Sequence, residues 1–142
     1  MNNQRYLAQH DAVLLNRLAE NILRLDGRES EAAAHLLDIV AGAILLPTFR
    51  SDCVAMQATV HYAISSSAQS RAITLVYPQE ADPASARISV LTPIGLAFIG
   101  CKQDTHTDVA LPSGRIEDIL ILSIRHADAV ANESNTNDAR MS

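Results

Sequence analysis

The chain has 142 residues, of which 48% are hydrophobic, and a formal net charge of −5. That length suits one compact domain plus an accessory element, and no apolar run approaches the roughly 20 residues a membrane-spanning helix needs. The acidic balance, the absence of tryptophan and the presence of only two phenylalanines argue against direct nucleic-acid binding or a stacking platform for single strands. The start of the chain, Met1 to His10, is polar and lacks the apolar segment of a secretion signal. Cys53 and Cys101 have no metal-ligand spacing. Free thiols in a reduced, cytoplasmic setting are therefore expected.

From Tyr6 to about Leu46 the pattern is helical. Leu7, Leu14, Leu18, Ile22 and Leu25 form a first apolar stripe, broken by Asp11, and Ala33, Leu37, Val40 and Ile44 form a second. Between them lies Asp26-Gly27-Arg28-Glu29-Ser30, where Gly27 can end the first helix and Ser30 can cap the next. Two stripes joined by so short a connection predict an antiparallel helical hairpin, a short coiled coil over residues 1–47 with Leu14, Leu18, Leu37 and Val40 as its seam. Pro47 marks its exit. The alternative is that both helices are ordinary core helices of one domain.

From Asp52 the period changes to two. Val54, Met56, Ala58, Val60, Tyr62 and Ile64 alternate with their neighbours, which predicts one long strand to Ile64 with a buried face. Ser65 to Ser70 is a turn by composition. Ala72 to Tyr77 is apolar on both faces, as a central strand would be. Gln79 to Ala86 reads as an acidic loop, and Ile88 to Leu91 as the next strand. That strand must stop at Thr92-Pro93, because proline cannot donate to a ladder and biases the residue before it away from helix. Gly95 and Gly100 then suit a single helical turn closed by glycine. Thr107 to Leu111, the turn Pro112-Ser113-Gly114 and Arg115 to Arg125 predict a final hairpin, with Ile116, Leu120, Leu122 and Ile124 on one face. Residues 127–142 are small and polar and are expected to be a disordered tail.

Few residues offer chemistry of their own. His10, His35, His61, His106 and His126 are scattered. Asp104, His106 and Asp108 could share a face as metal ligands, but a solvated loop and strand start account for them more simply. No serine is accompanied by a histidine and an orienting acid in a recognisable pattern, and no glycine-rich phosphate loop occurs. Cys101 beside Lys102 could have a lowered thiol pKa, against the plainer reading of a small semi-buried residue. No metal, cofactor or catalytic residue is assigned.

Three segments in order carry a resemblance: Leu75-Val76-Tyr77-Pro78; Ile88-Ser89-Val90 leading into Thr92-Pro93-Ile94-Gly95 and Ile99-Gly100; and Leu111-Pro112-Ser113-Gly114. Together they resemble the globular C-terminal domain of the Gre transcript-cleavage factors and their shorter relatives, the Rnk-type regulators of nucleoside diphosphate kinase. The resemblance covers Asp52 to Arg125. It implies an α+β protein: the helical hairpin, then an FKBP-like antiparallel sheet domain with a short helix over residues 48–126.

The resemblance also implies function. Such proteins dock on bacterial RNA polymerase at the rim of its secondary channel, the globular domain gripping the enzyme while the hairpin points inward. Thr92, Pro93, Ile94, Gly95 and Ile99 are then the candidate polymerase-binding residues. Asp26, Glu29 and Glu31 stand at the hairpin tip, where cleavage factors help hold a catalytic magnesium ion. Here ordinary helix chemistry explains them better: Glu29 and Glu31 lie at a helix start, where negative charge suits the dipole. A first helix of about 20 residues spans only roughly 30 Å, and the tip lacks the Glu-Asn pair of the cleavage factors. The expectation is a monomeric, non-enzymatic regulator that competes with longer Gre-type factors. Transcript-cleavage stimulation, and a prolyl isomerase or chaperone role suggested by fold alone, are the alternatives.

Overall fold

The structure is a computed structural model and describes residues 4–25, 27–48, 50–67, 69–110 and 113–126. Asp26, the Leu111-Pro112 step and the expected disordered tail, residues 127–142, lie outside the described residues.

A strand β1 (Tyr6–Ala8) leads into helix α1 (Gln9–Leu25). Helix α2 (Ser30–Gly42) follows, then strand β2 (Ile44–Leu46). The segment read as helical from Tyr6 to Leu46 is thus trimmed at both ends, because β1 and β2 pair as a short parallel ribbon with Tyr6 opposite Ile44. Local periodicity carries no information about such a partner 38 residues away. The two helices pack on each other, and Ala12, Leu15 and Ala19 of α1 and Ala33, Leu36 and Ile39 of α2 are buried. Leu15, Ala19, Leu36 and Ile39 lie one residue away from the expected Leu14, Leu18, Leu37 and Val40. Leu18, Leu37 and Val40 are partly buried beside them. Half of the buried positions are alanines, Ala12, Ala19 and Ala33, which a search for a leucine stripe overlooks. Glu29, not Ser30, holds the N-cap position of α2, and it makes no side-chain cap bond.

The second sheet is built from β3 (Thr59–Ile64), β4 (Gln69–Val76), β5 (Arg87–Ser89), β6 (His106–Ala110) and β7 (Ile116–Arg125), in the spatial order β5-β4-β3-β7-β6. It is mixed rather than wholly antiparallel: β3 pairs antiparallel with β4 and β7, and β6 with β7, but β5 lies parallel to β4. The acidic loop makes this possible. Two 3₁₀ turns, Pro78–Glu80 and Pro83–Ser85, and a left-handed Ala86 (φ 60°) carry the chain back before β5 begins.

Strand β3 starts seven residues later than the alternation from Asp52 suggests. Gln57 has φ 70°, which breaks the extended backbone, and the Met56 amide donates to the Asp11 carboxylate of α1 (3.0 Å) instead of to a strand. On β7 the expected face is also reset. His61 pairs with Ser123 but Tyr62 with Ile121, so Leu122 is the extra residue of a β-bulge. Ile119 and Ile121 are buried, whereas Ile116 and Leu122 are 68% and 39% exposed.

Helix α3 (Pro93–Phe98) lies against this sheet; β5 stops at Ser89, earlier than the expected end at Leu91, and Val90-Leu91 form the turn that leads into the Thr92-Pro93 start of the helix. The Thr92 hydroxyl accepts from the Gly95 amide (3.1 Å), and proline fills the first helical position. Buried side chains of β1, α1, α2, the sheet and α3 make up one continuous core.

Candidate functional site

The five candidate docking residues divide into two groups. Pro93 is exposed and Ile94 half-buried, with Thr92 half-buried beside them as the cap of α3. Gly95 and Ile99 offer no surface. Ile99 is wholly buried. Gly95 presses on β5, such that a Cβ there would run into the Ser89 carbonyl oxygen and lie 2.8 Å from Val90 Cα. The accessible part of the segment is therefore one end of α3.

That end borders a cleft of about 540 Å³. Tyr62 and Ile64 of β3, Val109 of β6, Ile119 of β7, Pro93 and Ile94 give it apolar walls, while Arg71, Arg115 and Glu117 stand among its polar groups. Arg115 and Glu117 are paired (2.8 Å), and Ser66 donates to the same glutamate (2.7 Å). Phe98 meets Tyr62 edge-on, with ring centroids 5.2 Å apart, but is fully buried. Tyr62 is the aromatic residue lining the cleft among the described residues.

One participant gave no signal in the sequence. The Arg5 guanidinium donates to the carbonyls of Leu96 and Ile99, both at 2.8 Å. An arginine 91 residues before the helix it closes belongs to no motif and no periodic face, so only the folded chain reveals it.

The remaining candidates are placed as follows. Glu29 and Glu31 are exposed at the connection between α1 and α2. The Asp104-His106-Asp108 face does not close on an ion: His106 turns to Asp118 (2.9 Å), Asp104 occupies a left-handed turn position (φ 67°), and no group among the described residues could hold a metal. Ser65 also donates to Asp118 (2.7 Å). Both contacts use the same carboxylate oxygen, so the serine is not presented to the imidazole as a nucleophile would be. Ser65 first, and His106 after it, hold the Asp118 carboxyl below its usual range. Cys101 is buried, and burial raises its thiol pKa, the reverse of activation.

A second cavity of about 300 Å³ lies where the start of α1 meets the sheet, with His10, Asp11, Tyr77 and His126 in its wall. Burial, with Asp11 and Glu80 nearby, pushes the Tyr77 phenol up to about 12. Burial lowers the pKa of His126, against backbone hydrogen bonding at Ser51 and the charge of Asp11. A histidine held neutral in the fold takes up its proton more readily once unfolded. Its contribution is therefore present above about pH 6.5 and is lost as pH falls below that value, by at most about 1.4 kcal/mol per unit. Unfolding measured from pH 7.5 to 5.0 should show this loss, and His126→Gln should flatten it.

Residues 49–126 match the family described as transcription elongation factor, GreA/GreB, C-terminal. The transcription elongation factor GreA of Desulfovibrio desulfuricans is 35% identical over 71 residues, which is 50% of this chain and 44% of that protein. The GreA of Nitratidesulfovibrio vulgaris is 37% identical over 73 residues, 51% of this chain and 46% of its own length. The chain thus spans less than half the length of the curated relatives it matches. A solved structure, the prokaryotic transcription elongation factor GreA/GreB from Nitrosomonas europaea, superposes with a TM-score of 0.70 at 26% identity, covering 88% of this chain and all of that one. The family match takes in β3 to β7 and α3, the whole of the sheet that forms the cleft, and by it the chain belongs to the GreA/GreB C-terminal family of transcription elongation factors.

Proposed function

We propose that this protein is a cytoplasmic, monomeric regulator of transcription that docks on bacterial RNA polymerase through its sheet domain and occupies the rim of the secondary channel without stimulating transcript cleavage. In this reading α1 and α2 are a helical hairpin carried by an FKBP-like domain, and Pro93 and Ile94 belong to the gripping face. The observation that carries the non-catalytic part is length. Helix α1 has 17 residues and α2 has 13, about 25 Å and 20 Å along their axes, and both bury one face in the core shared with the sheet. An arm so short and so anchored holds Glu29 and Glu31 near the channel mouth, away from the magnesium they would have to help coordinate. Membership of an elongation-factor family supports polymerase as the partner. Among the described residues no helix is long and apolar enough to cross a membrane.

The deciding experiment pairs two assays with purified core polymerase. The chain should compete with a full-length Gre factor for binding, and it should leave the transcript of a backtracked complex uncut at saturating concentration. Asp26→Ala, Glu29→Ala and Glu31→Ala together should not change the competition. Magnesium-dependent shortening of the transcript that disappears in the triple variant would make the chain a cleavage factor.

The docking face gives a further expectation. Ile94 is half-buried and packs beside the core, so Ile94→Asp both charges the cleft and strains α3. Pro93→Ala changes the exposed edge and leaves the Thr92 cap that starts α3 in place. Pro93→Ala should weaken polymerase binding by a few-fold with an unchanged circular dichroism spectrum. Equal affinity would move the contact away from α3.

A further inference from the structure

We propose that Arg5 is a positioning residue for the docking face, tying the far end of α3 to the N-terminal strand so that Pro93 and Ile94 are presented at a fixed angle to the helices. The inference rests on the reading of α3 as part of the polymerase-binding surface.

The Arg5 side chain ends on α3. Its Nη1 donates to both Leu96 and Ile99 carbonyl oxygens at 2.8 Å. A six-residue helix leaves most of its C-terminal carbonyls without intrahelical donors, and a cation there also meets the negative end of the helix dipole. Charge-assisted bonds of this kind are among the stronger ones a side chain makes. The Arg5 main chain goes elsewhere. Its carbonyl accepts from the Ile44 amide of β2 (2.9 Å), and the next amide, that of Tyr6, donates to Gly100 (2.8 Å). Arg5 therefore bonds to the docking helix with its side chain and to the exit strand of the helical pair with its backbone.

Gly100 makes this close crossing possible. It has φ +79°, and a Cβ on it would lie 3.1 Å from Arg5 Cβ and 3.3 Å from Leu7 Cδ2. The first strand thus lies directly over the turn that ends α3. The start of α3 is already fixed by its own threonine cap and by the contact of Gly95 with β5. Its end is fixed by residues 5 and 6. A partner that binds Pro93 and Ile94 consequently meets a surface whose tie to the N-terminal strand, at the end of α3, runs through the Arg5 guanidinium and the Tyr6–Gly100 backbone bond.

The test measures the dissociation constant for core RNA polymerase at a temperature below all melting transitions, together with amide hydrogen exchange at Ile99 to Cys101. Arg5→Met keeps length and apolar bulk but removes the donors. Both bonds to α3 are lost, so the partner must order the end of the helix on binding; affinity should fall about tenfold, and exchange at the end of α3 should speed up. Because one nitrogen serves both carbonyls, a lysine ammonium can replace it in part, so Arg5→Lys should recover most of the affinity. If Arg5→Met does not fold, Arg5→Gln, with a neutral donor too short to span the gap, takes its place and should bind more weakly than Arg5→Lys. A purely structural role would lower the melting temperature and leave the dissociation constant of the folded variant unchanged; that result overturns the inference while the docking reading stands. Failure of the wild-type chain to bind polymerase overturns both.

Discussion

Leu15→Ala should destabilise the protein by about 2–5 kcal/mol, the usual cost of removing a fully buried leucine from a packed core, and should do so in a single transition. Leu15 is completely inaccessible, and so are Ala19 and Ala33 beside it. The same continuous cluster includes Val60, Leu75, Phe98 and Ile121 of the sheet and α3. A helical arm with a private core would melt first and leave the sheet intact. A shared core makes the helices and the sheet lose their packing together. Urea unfolding followed by far-ultraviolet circular dichroism and by exchange of β3 amides checks this: the two midpoints should coincide in wild type and variant. Separate midpoints would mean that the helical pair folds as a unit of its own.

Gly95→Ala is the second large effect, and its cause is backbone rather than cavity. The added methyl meets the Ser89 carbonyl oxygen and the Val90 Cα and carbonyl carbon, the last at 2.9 Å. None of these atoms belongs to a side chain that could rotate away. Overpacking of this kind costs about 1–3 kcal/mol and sometimes more, since either α3 lifts from the sheet or β5 leaves β4. The parallel β4–β5 pair has only three registered positions, Thr74 with Arg87, Leu75 with Ile88 and Val76 with Ser89, so little holds it against displacement. Thermal melting and exchange at Val90 should report the change, and a larger residue such as arginine should prevent folding. A stable Gly95→Ala protein with native exchange would show that α3 sits higher on the sheet than described.

Much of this was legible in the sequence where the signal was local. Thr92-Pro93 marked the start of α3, because a threonine cap and a proline at the first helical position are local signals, although the strand before it ends earlier, at Ser89. The two helices were visible from their apolar stripes, and the strands as β-rich runs, although alternation misplaced the start of β3 and the buried face of β7. What could not be read was set by residues distant in the chain. The β1–β2 ribbon joins positions 38 apart, and the bulge at Leu122 exists only because β7 must pair with β3 at both ends. Gln57 turned an alternating stretch into a kink for the sake of an amide that meets Asp11. The candidate docking segment was legible as a block, but exposure within it was not. Ile94 and Ile99 look alike in sequence, and the fold leaves one half-buried and submerges the other.

The β1–β2 ribbon has a consequence for how such a protein can change over time. Because Tyr6 faces Ile44 across it, the chain leaves for α1 and comes home from α2 through adjacent doors. Material added near Gly27, where nothing crowds the backbone, enters and exits at the far end of both helices and leaves the ribbon, Arg5 and α3 untouched. The length of the helical pair is thereby uncoupled from the geometry at its base. Whole turns inserted in register on both helices would lengthen the pair, and their deletion shorten it, without moving the ribbon or α3.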